Sequence, residues 1–302
     1  MIKTENIAKS FGETVALSGI SISVQESELF GLIGPDGAGK TTLFRLLTTL
    51  LVPDSGSATV LGHDIVTGYR EIRKHIGYMP GRFSLYQDLT VEENLKFYAT
   101  VFGTTIEQNF HLIRDIYSHI EPFRNRQAGK LSGGMKQKLA LCCALIHAPR
   151  IIILDEPTTG VDAVSRTEFW EMLKNLRKEN ITILVSTPYM DEASRCDRVA
   201  LMQNGQIMIT DKPANLVNVS GKKMYAATAD SKFRLINLLR AHRAVDSAYA
   251  FGDSIHVTFK EENFPGELRE YLVSNGLSDA KIIETEAGIE DSFLHLMKGK
   301  EA

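Results

Sequence analysis

The sequence has no run approaching the roughly 18 uninterrupted apolar residues that a membrane-spanning helix needs. Its first residues, "MIKTENIAKS", carry no apolar signal core, so the expectation is a soluble chain that reaches a membrane only by docking. Neither sign of charge is in large excess. With 34 basic against 37 acidic residues the formal charge is -3, and no global field draws the chain to nucleic acid or an anionic membrane surface. Cysteine is scarce. Cys142, Cys143 and Cys196 show neither a disulfide framework nor metal-ligand spacing, and two are adjacent in an apolar run, which points to reduced core thiols of a cytosolic protein. His63, His75 and the other histidines each stand alone, without a spaced partner, and are expected to be solvated or packed. There is no repeat at solenoid periods and no low-complexity segment.

What is present is alternation of strand and helix over 302 residues, enough for one large and one small domain. Short apolar strands at 29 to 34 ("LFGLIG"), 150 to 155 ("RIIILD") and 181 to 186 ("ITILVS") alternate with helical patterns. That is the signature of a parallel sheet covered on both faces. A mostly helical insert, about 85 to 147, contains "TVEENLKFYATVF" with the capping-box pair Thr90 and Glu93, and is expected as a subdomain on the sheet's edge. "RVALMQNGQIMIT" alternates around Asn204-Gly205, a strong hairpin signal. The first domain is thus expected over 1–220. From about 222 the order becomes strand, helix, strand, strand, helix, strand, with a last helix "IEDSFLHLMK". This predicts a small α+β ferredoxin-like domain over 222–302. It shows no cluster of His, Asp or Glu with ligand or acid–base spacing, and its "GKKM" lysines are read as a solvated linker.

Chemistry concentrates in the first domain. "GPDGAGKTT", residues 34 to 42, matches G-x-x-x-x-G-K-[ST] between a strand and a helix. Gly34, Gly37 and Gly39 let backbone N–H groups approach a β-phosphate, with the helix N-terminus adding positive potential. Lys40 is expected to reach the β and γ oxygens, and Thr41 to ligate Mg²⁺. The bland alternative is a glycine-rich turn that binds nothing. Against it stands "IIILDEP", where an apolar strand delivers two carboxylates to its carboxyl end. Asp155 is suited to the Mg²⁺ shell, and Glu156 to orienting and deprotonating an attacking water. A third element, "LSGGMKQKLALCCALIHAP", offers Ser132 as a natural N-cap, with Gly133 and Gly134 exposing N–H groups at a helix start.

With the phosphate loop, "LSGGM" and "LDEPTTGVD" in this order, residues 1 to about 215 resemble the nucleotide-binding domain of ATP-binding cassette (ABC) transporters. The resemblance implies a P-loop ABC-type ATPase core with an antiparallel β subdomain and a helical subdomain. It also implies two such domains, as homodimer or heterodimer, sandwiching ATP and Mg²⁺ between one chain's phosphate loop (Gly34, Pro35, Asp36, Gly37, Ala38, Gly39, Lys40, Thr41, Thr42) and the other's signature (Leu131, Ser132, Gly133, Gly134). Phe11 matches the aromatic that stacks on adenine, although a strand Phe is more often core. Asp162 matches the dimer-contact loop. The ending "GIEDSFLHLM" is similar to that of ATPases serving exporters with an accessory domain.

Two positions depart from the family pattern. Gly81 stands where a Gln usually follows "GYMP", and Pro188 stands where a histidine usually contacts the γ-phosphate. Gln87 lies six residues past Gly81 and is no obvious substitute. The resemblance implies an ATP-hydrolysing subunit, cytoplasmic and peripheral on the inner face of the membrane, that energises a separate integral membrane permease. Its own site would be degenerate beside an intact signature. A soluble ABC ATPase of ribosomes or DNA repair is the alternative, while a cassette that binds ATP only to complete a partner's site is a third reading compatible with the first. No nucleic acid partner is expected.

Overall fold

The computed structural model describes residues 1–217, 221–261 and 266–301. The chain divides into two compact units, Met1–Lys212 and Pro213–Ala302. The composition shift near 220 pointed to a later boundary; residues 218–220 lie outside the described residues.

The first unit opens with strands β1 (Ile2–Phe11), β2 (Thr14–Ile20), β3 (Ser23–Val24) and β4 (Leu29–Ile33), then helix α1 (Lys40–Leu47). Next come β5 (Ser55–Val60), β6 (His63–Asp64), α2 (Tyr69–His75) and β7 (Ile76–Met79). The expected insert follows as α3 (Val91–Val101), α4 (Phe110–Tyr117) and α5 (Gly133–Leu145). The unit ends with β8 (Ile151–Asp155), α6 (Ala163–Lys178), β9 (Thr182–Thr187), β10 (Arg198–Gln203) and β11 (Gln206–Asp211).

These strands form two sheets. An antiparallel one has the order β2-β1-β5-β6, with β3 also on β1. The other, in the order β11-β10-β4-β9-β8-β7, is parallel except for β11. Helix α1 lies between them, its Leu43, Phe44, Leu46 and Leu47 buried with Ile7 and Val60 of one sheet and Ile153 and Leu184 of the other. On α6, Phe169, Trp170, Leu173 and Leu176 are buried as well. Strands covered on both faces read as unbroken apolar runs, which is why β8 is buried at every position.

Local chemistry sets the ends of several elements. Thr90 and Glu93 form the reciprocal capping box of α3, satisfying two N–H groups that the first turn leaves free. Asn204 and Gly205 both adopt positive φ, 48° and 71°, as a two-residue hairpin turn requires. Cys142, Cys143 and Cys196 are buried, and burial pushes each thiol well up from its ordinary range. They are packing groups, not nucleophiles.

The second unit opens with the short helix α7 (Pro213–Leu216) and continues with β12 (Met224–Thr228), α8 (Lys232–Ala241), β13 (Val245–Phe251) and β14 (Ser254–Phe259). Helix α9 (Gly266–Ser274), β15 (Lys281–Thr285) and α10 (Ile289–Glu301) complete it. Its sheet has the order β13-β14-β12-β15, antiparallel throughout. Leu235, Leu239, Leu268 and Leu272 of α8 and α9 are buried in one cluster with Tyr225, Ile255 and Val257 of the sheet.

One sequence expectation is corrected here. Lys222 is no free linker charge, since its Nζ lies 2.7 Å from Asp246 Oδ2. The unit also holds a His–Asp pair that no sequence spacing marks. His256 Nδ1 lies 2.8 Å from Asp291 Oδ1, with the aspartate side chain 3% exposed, and the Gly288 N–H donates to Asp291 Oδ2 at 2.8 Å. The partners are 35 residues apart, and only strand pairing and the return of α10 bring them together. Asp291→Ala would leave the buried His256 ring and the half-buried Gly288 N–H without this partner, at a cost of about 1–3 kcal/mol. Chemical denaturation should show an earlier unfolding midpoint for the second unit.

Candidate nucleotide site

The candidate site is built where strands β4, β9 and β8 end side by side. Ile33 pairs with Thr187 and Asp155 with Ser186, so the phosphate loop, the acidic pair and Pro188 emerge at one edge. The carboxyl edge of a parallel sheet is where such folds present ligand groups.

In the loop, Gly34 and Ala38 are buried, Pro35, Asp36 and Gly37 are exposed, and Thr41 and Thr42 are half-buried in the first turn of α1. Two glycines are dictated by space. A Cβ at Gly34 would fall 2.1 Å from the Met202 carbonyl oxygen. Gly39 has φ 105° and borders Ala16 O, where a Cβ would sit at 2.5 Å. The hairpin turn closes over the loop, the Gly205 N–H donating to Ala38 O at 3.0 Å and the Ser18 N–H to Gly205 O at 2.8 Å. Gly39 caps α1 with no side-chain acceptor, so the first-turn N–H groups face the loop's mouth with the positive end of the helix dipole behind them.

Lys40 is 3% exposed yet well partnered. Its Nζ donates to Gly34 O at 2.7 Å and Pro35 O at 2.9 Å, and lies 3.0 Å from Glu156 Oε1. Glu156 reaches it from an unusual backbone, with φ 49°, a region costly for a residue with a Cβ. Ser186 holds that turn. Its hydroxyl donates to Asp155 Oδ1 at 2.7 Å and accepts from the Glu156 N–H at 2.9 Å. The donors that could hold a metal here, the Thr41 hydroxyl and the buried Asp155 carboxylate, are hard oxygens of the kind Mg²⁺ prefers alongside substrate phosphates. Among the described residues no group of three or more His, Cys, Asp or Glu forms a metal cage.

The signature segment has other neighbours. Ser132 caps α5, accepting from the Met135 N–H at 3.4 Å, while Leu131 beside it is buried. A Cβ at Gly134 would fall 2.8 Å from Ser165 Oγ. The signature therefore packs on the start of α6, where Asp162 is the N-cap, its carboxylate accepting from the Ser165 N–H at 3.0 Å. Phe11 is 50% exposed with Lys9 Nζ 5.7 Å from its ring, which removes the core reading of that residue. At the departures from the pattern, Pro188 follows β9 directly, and a Cβ at Gly81 would lie 3.1 Å from Asp155 O and 3.8 Å from Asp155 Oδ2. Gln87 packs instead against Gly129, whose N–H donates to its carbonyl at 2.9 Å.

Comparison with known proteins agrees with this geometry. The ABC transporter family pattern matches residues 17–159. The chain is 33% identical over 299 residues to the Nod factor export ATP-binding protein I of Rhizobium sp. (strain N33), covering 98% of this chain and 96% of that protein. The chain belongs to the ATP-binding proteins of ABC transporters. This ABC protein is also 40% identical, over 94% of its length, to the probable multidrug ABC transporter ATP-binding protein YbhF of Escherichia coli (strain K12), and spans 49% of that relative. Among solved structures it is similar to the dimeric ATP-binding cassette MJ0796 in a post-hydrolysis state bound to ADP and Pi, with TM-score 0.63 and 25% identity over 70% of this chain and 98% of that one. It is likewise similar to cbiO1 from Clostridium perfringens, part of the transporter complex cbiONQ, with TM-score 0.64 and 27% identity over 71% and 89% of the two chains.

Sequence reasoning on this ABC cassette missed Ser186, Met202 and Gly205 as builders of the site. They act through backbone atoms or a lone hydroxyl, which no motif marks. Gly34→Ala should destabilise the cassette by about 1–3 kcal/mol through the clash with Met202, read as a lowered melting temperature.

Proposed function

We propose that this chain is the ATP-binding and ATP-hydrolysing subunit of an exporter, cytoplasmic and peripheral on the membrane's inner face, and that it energises a separate integral membrane permease. The observation that carries the proposal is the ion pair of Lys40 with Glu156, the residue after the buried Asp155, at the mouth of a loop in which Gly34 and Gly39 have no room for a Cβ. The names of the relatives, a multidrug transporter protein and a Nod factor export protein, support export. That no helix among the described residues is long and apolar enough to cross a membrane fits a subunit that docks on one.

In this reading the phosphate loop N–H groups and Lys40 hold the β- and γ-phosphates. An arriving γ-phosphate competes with Glu156 for the Lys40 ammonium, and so releases the carboxylate to orient water. Thr41 and Asp155 would hold Mg²⁺, which when bound supplies neutralisation of phosphate charge. Phe11, exposed at the end of β1, stacks on adenine. Ser132 and Gly133, exposed at the start of α5, complete a second cassette's site together with Gly134, and Asp162 lies at that contact. The permease seats a cytosolic segment in the cavity of about 370 Å³ whose lining includes Met79, Phe83, Tyr98, Phe102 and His147. The second unit is a ferredoxin-like accessory domain that steadies or regulates the cassette pair.

Gly81 and Pro188 make the pair asymmetric. Each removes a side chain that could touch the attacking water or the γ-phosphate, and one lost transition-state donor costs about 10²- to 10³-fold in rate. ATP at Lys40 therefore persists as a clamp, while the intact signature serves a partner cassette that turns over.

Titration with a fluorescent ATP analogue tests the nucleotide site. A hydrogen bond to a charged group is worth about 1.5–3 kcal/mol, so Lys40→Ala should weaken binding by about 10- to 100-fold; equal affinity would refute the assignment of the loop. The asymmetry predicts that, in the assembled transporter, Ser132→Arg cripples hydrolysis while Glu156→Gln leaves most of it. Loss of turnover with Glu156→Gln would instead make this chain's own site the working one.

A further inference from the structure

Behind Pro188 lies a buried carboxylate that no motif and no step above uses. Glu192, in the 3-10 turn Met190–Arg195, is 2% exposed. Its Oε2 accepts two hydroxyl hydrogen bonds, from Thr187 Oγ1 at 2.5 Å and from Thr158 Oγ1 at 3.1 Å. Its Oε1 makes no hydrogen bond and lies 3.9 Å from Arg166 Nε. Arg166 is on α6, its guanidinium 4.6 Å from the centre of the Tyr189 ring and 3.5 Å from Asp191 Oδ2. A carboxylate taken out of water is costly unless paired and hydrogen-bonded, so the two threonine hydroxyls on Oε2 are held to it closely.

The partners belong to different working parts. Thr187 ends β9, and its carbonyl accepts from the Gly34 N–H of the phosphate loop at 3.2 Å. Thr158, 1% exposed, stands two residues past Glu156 in the loop that runs through Gly160 to Asp162. A Cβ at Gly133 would lie 3.4 Å from Gly160 O, and Gly134 abuts Ser165. One side chain thus bridges the strand end beside the phosphate loop and the loop that packs on the signature.

We propose that Glu192 is a positioning residue that makes the loop 158–162, and with it the signature start, respond to nucleotide at Lys40. The inference rests on the reading that Lys40 and its loop bind ATP. Glu192 itself does not touch nucleotide; it acts through Thr187 and Thr158.

Hydrogen–deuterium exchange on the full chain, with and without saturating MgATP, tests this without needing turnover. In the wild-type chain MgATP should slow exchange at 158–162 by about tenfold. Glu192→Ala should bind ATP as tightly as wild type but lose that slowing. Glu192→Gln, whose amide oxygen can still accept from both threonines, should restore it. If Glu192→Ala does not fold, Thr158→Val removes one hydroxyl at nearly constant shape and should weaken the response. Undiminished slowing in Glu192→Ala or Thr158→Val overturns the inference, as does a wild-type chain that binds ATP without responding at 158–162. A parallel loss of affinity in Glu192→Ala also overturns it, because the residue would then support the loop in general. A wild-type chain that binds no ATP refutes the nucleotide site itself, and the inference falls with it.

Discussion

The Ser186 hydroxyl stands between two carboxylate-bearing residues at the buried end of a parallel sheet, donating to Asp155 and accepting from the Glu156 N–H. Without it the Asp155 side chain, 2% exposed, would lose a hydrogen bond, and the backbone of Glu156 would have less to hold it at positive φ. That turn is what carries the Glu156 carboxylate back to Lys40. The different placement of the adjacent acids, Asp155 held in the sheet and Glu156 turned toward Lys40, thus involves a group of a single oxygen atom. The paired register of β8 and β9 supplies it at the right height.

The elements that could be read from sequence were those whose signal is local or whose burial is complete. Strand β8 is an unbroken apolar run because both its faces are covered, α3 declares its start through Thr90 and Glu93, and Asn204-Gly205 can hardly be anything but a turn. Strand β7 escaped because it is four residues long and sits on the edge of the sheet, where alternation has no length to appear in. The phosphate loop and acidic pair were legible because their chemistry demands a fixed spacing. Ser186 and Met202 were not, since their contacts exist only once separate strands lie side by side, and Glu192 was not, since its contact to Thr158 spans 34 residues. His256 and Asp291 show the same limit, for a pair 35 residues apart leaves no periodic trace.

The buried ionic groups of the first unit are economical in a physical sense. Lys40 and Glu192 are both nearly solvent-free, and each has several partners at hydrogen-bond or ion-pair distance. Low local polarity strengthens each of these contacts and makes a missing partner expensive. In the proposed function a phosphate group entering the loop would meet a cation already held in place, and Glu156, the more exposed member of the pair, would be the one to move.

The strand order also constrains when the molecule can come into being. Strand β4, which leads into the phosphate loop, has β9 and β10 as its sheet neighbours, and the loop is closed by Gly205 of the final hairpin. All of these partners lie far downstream. A chain leaving the ribosome from its amino end thus displays "GPDGAGKTT" long before that segment has walls. Residues 34 to 42 acquire their shape only after most of the unit has been made, and until then the apolar β4 has nothing to pair with. Nonlocal closure of this kind folds slowly and leaves apolar surface exposed while it waits, and in this chain that surface is β4.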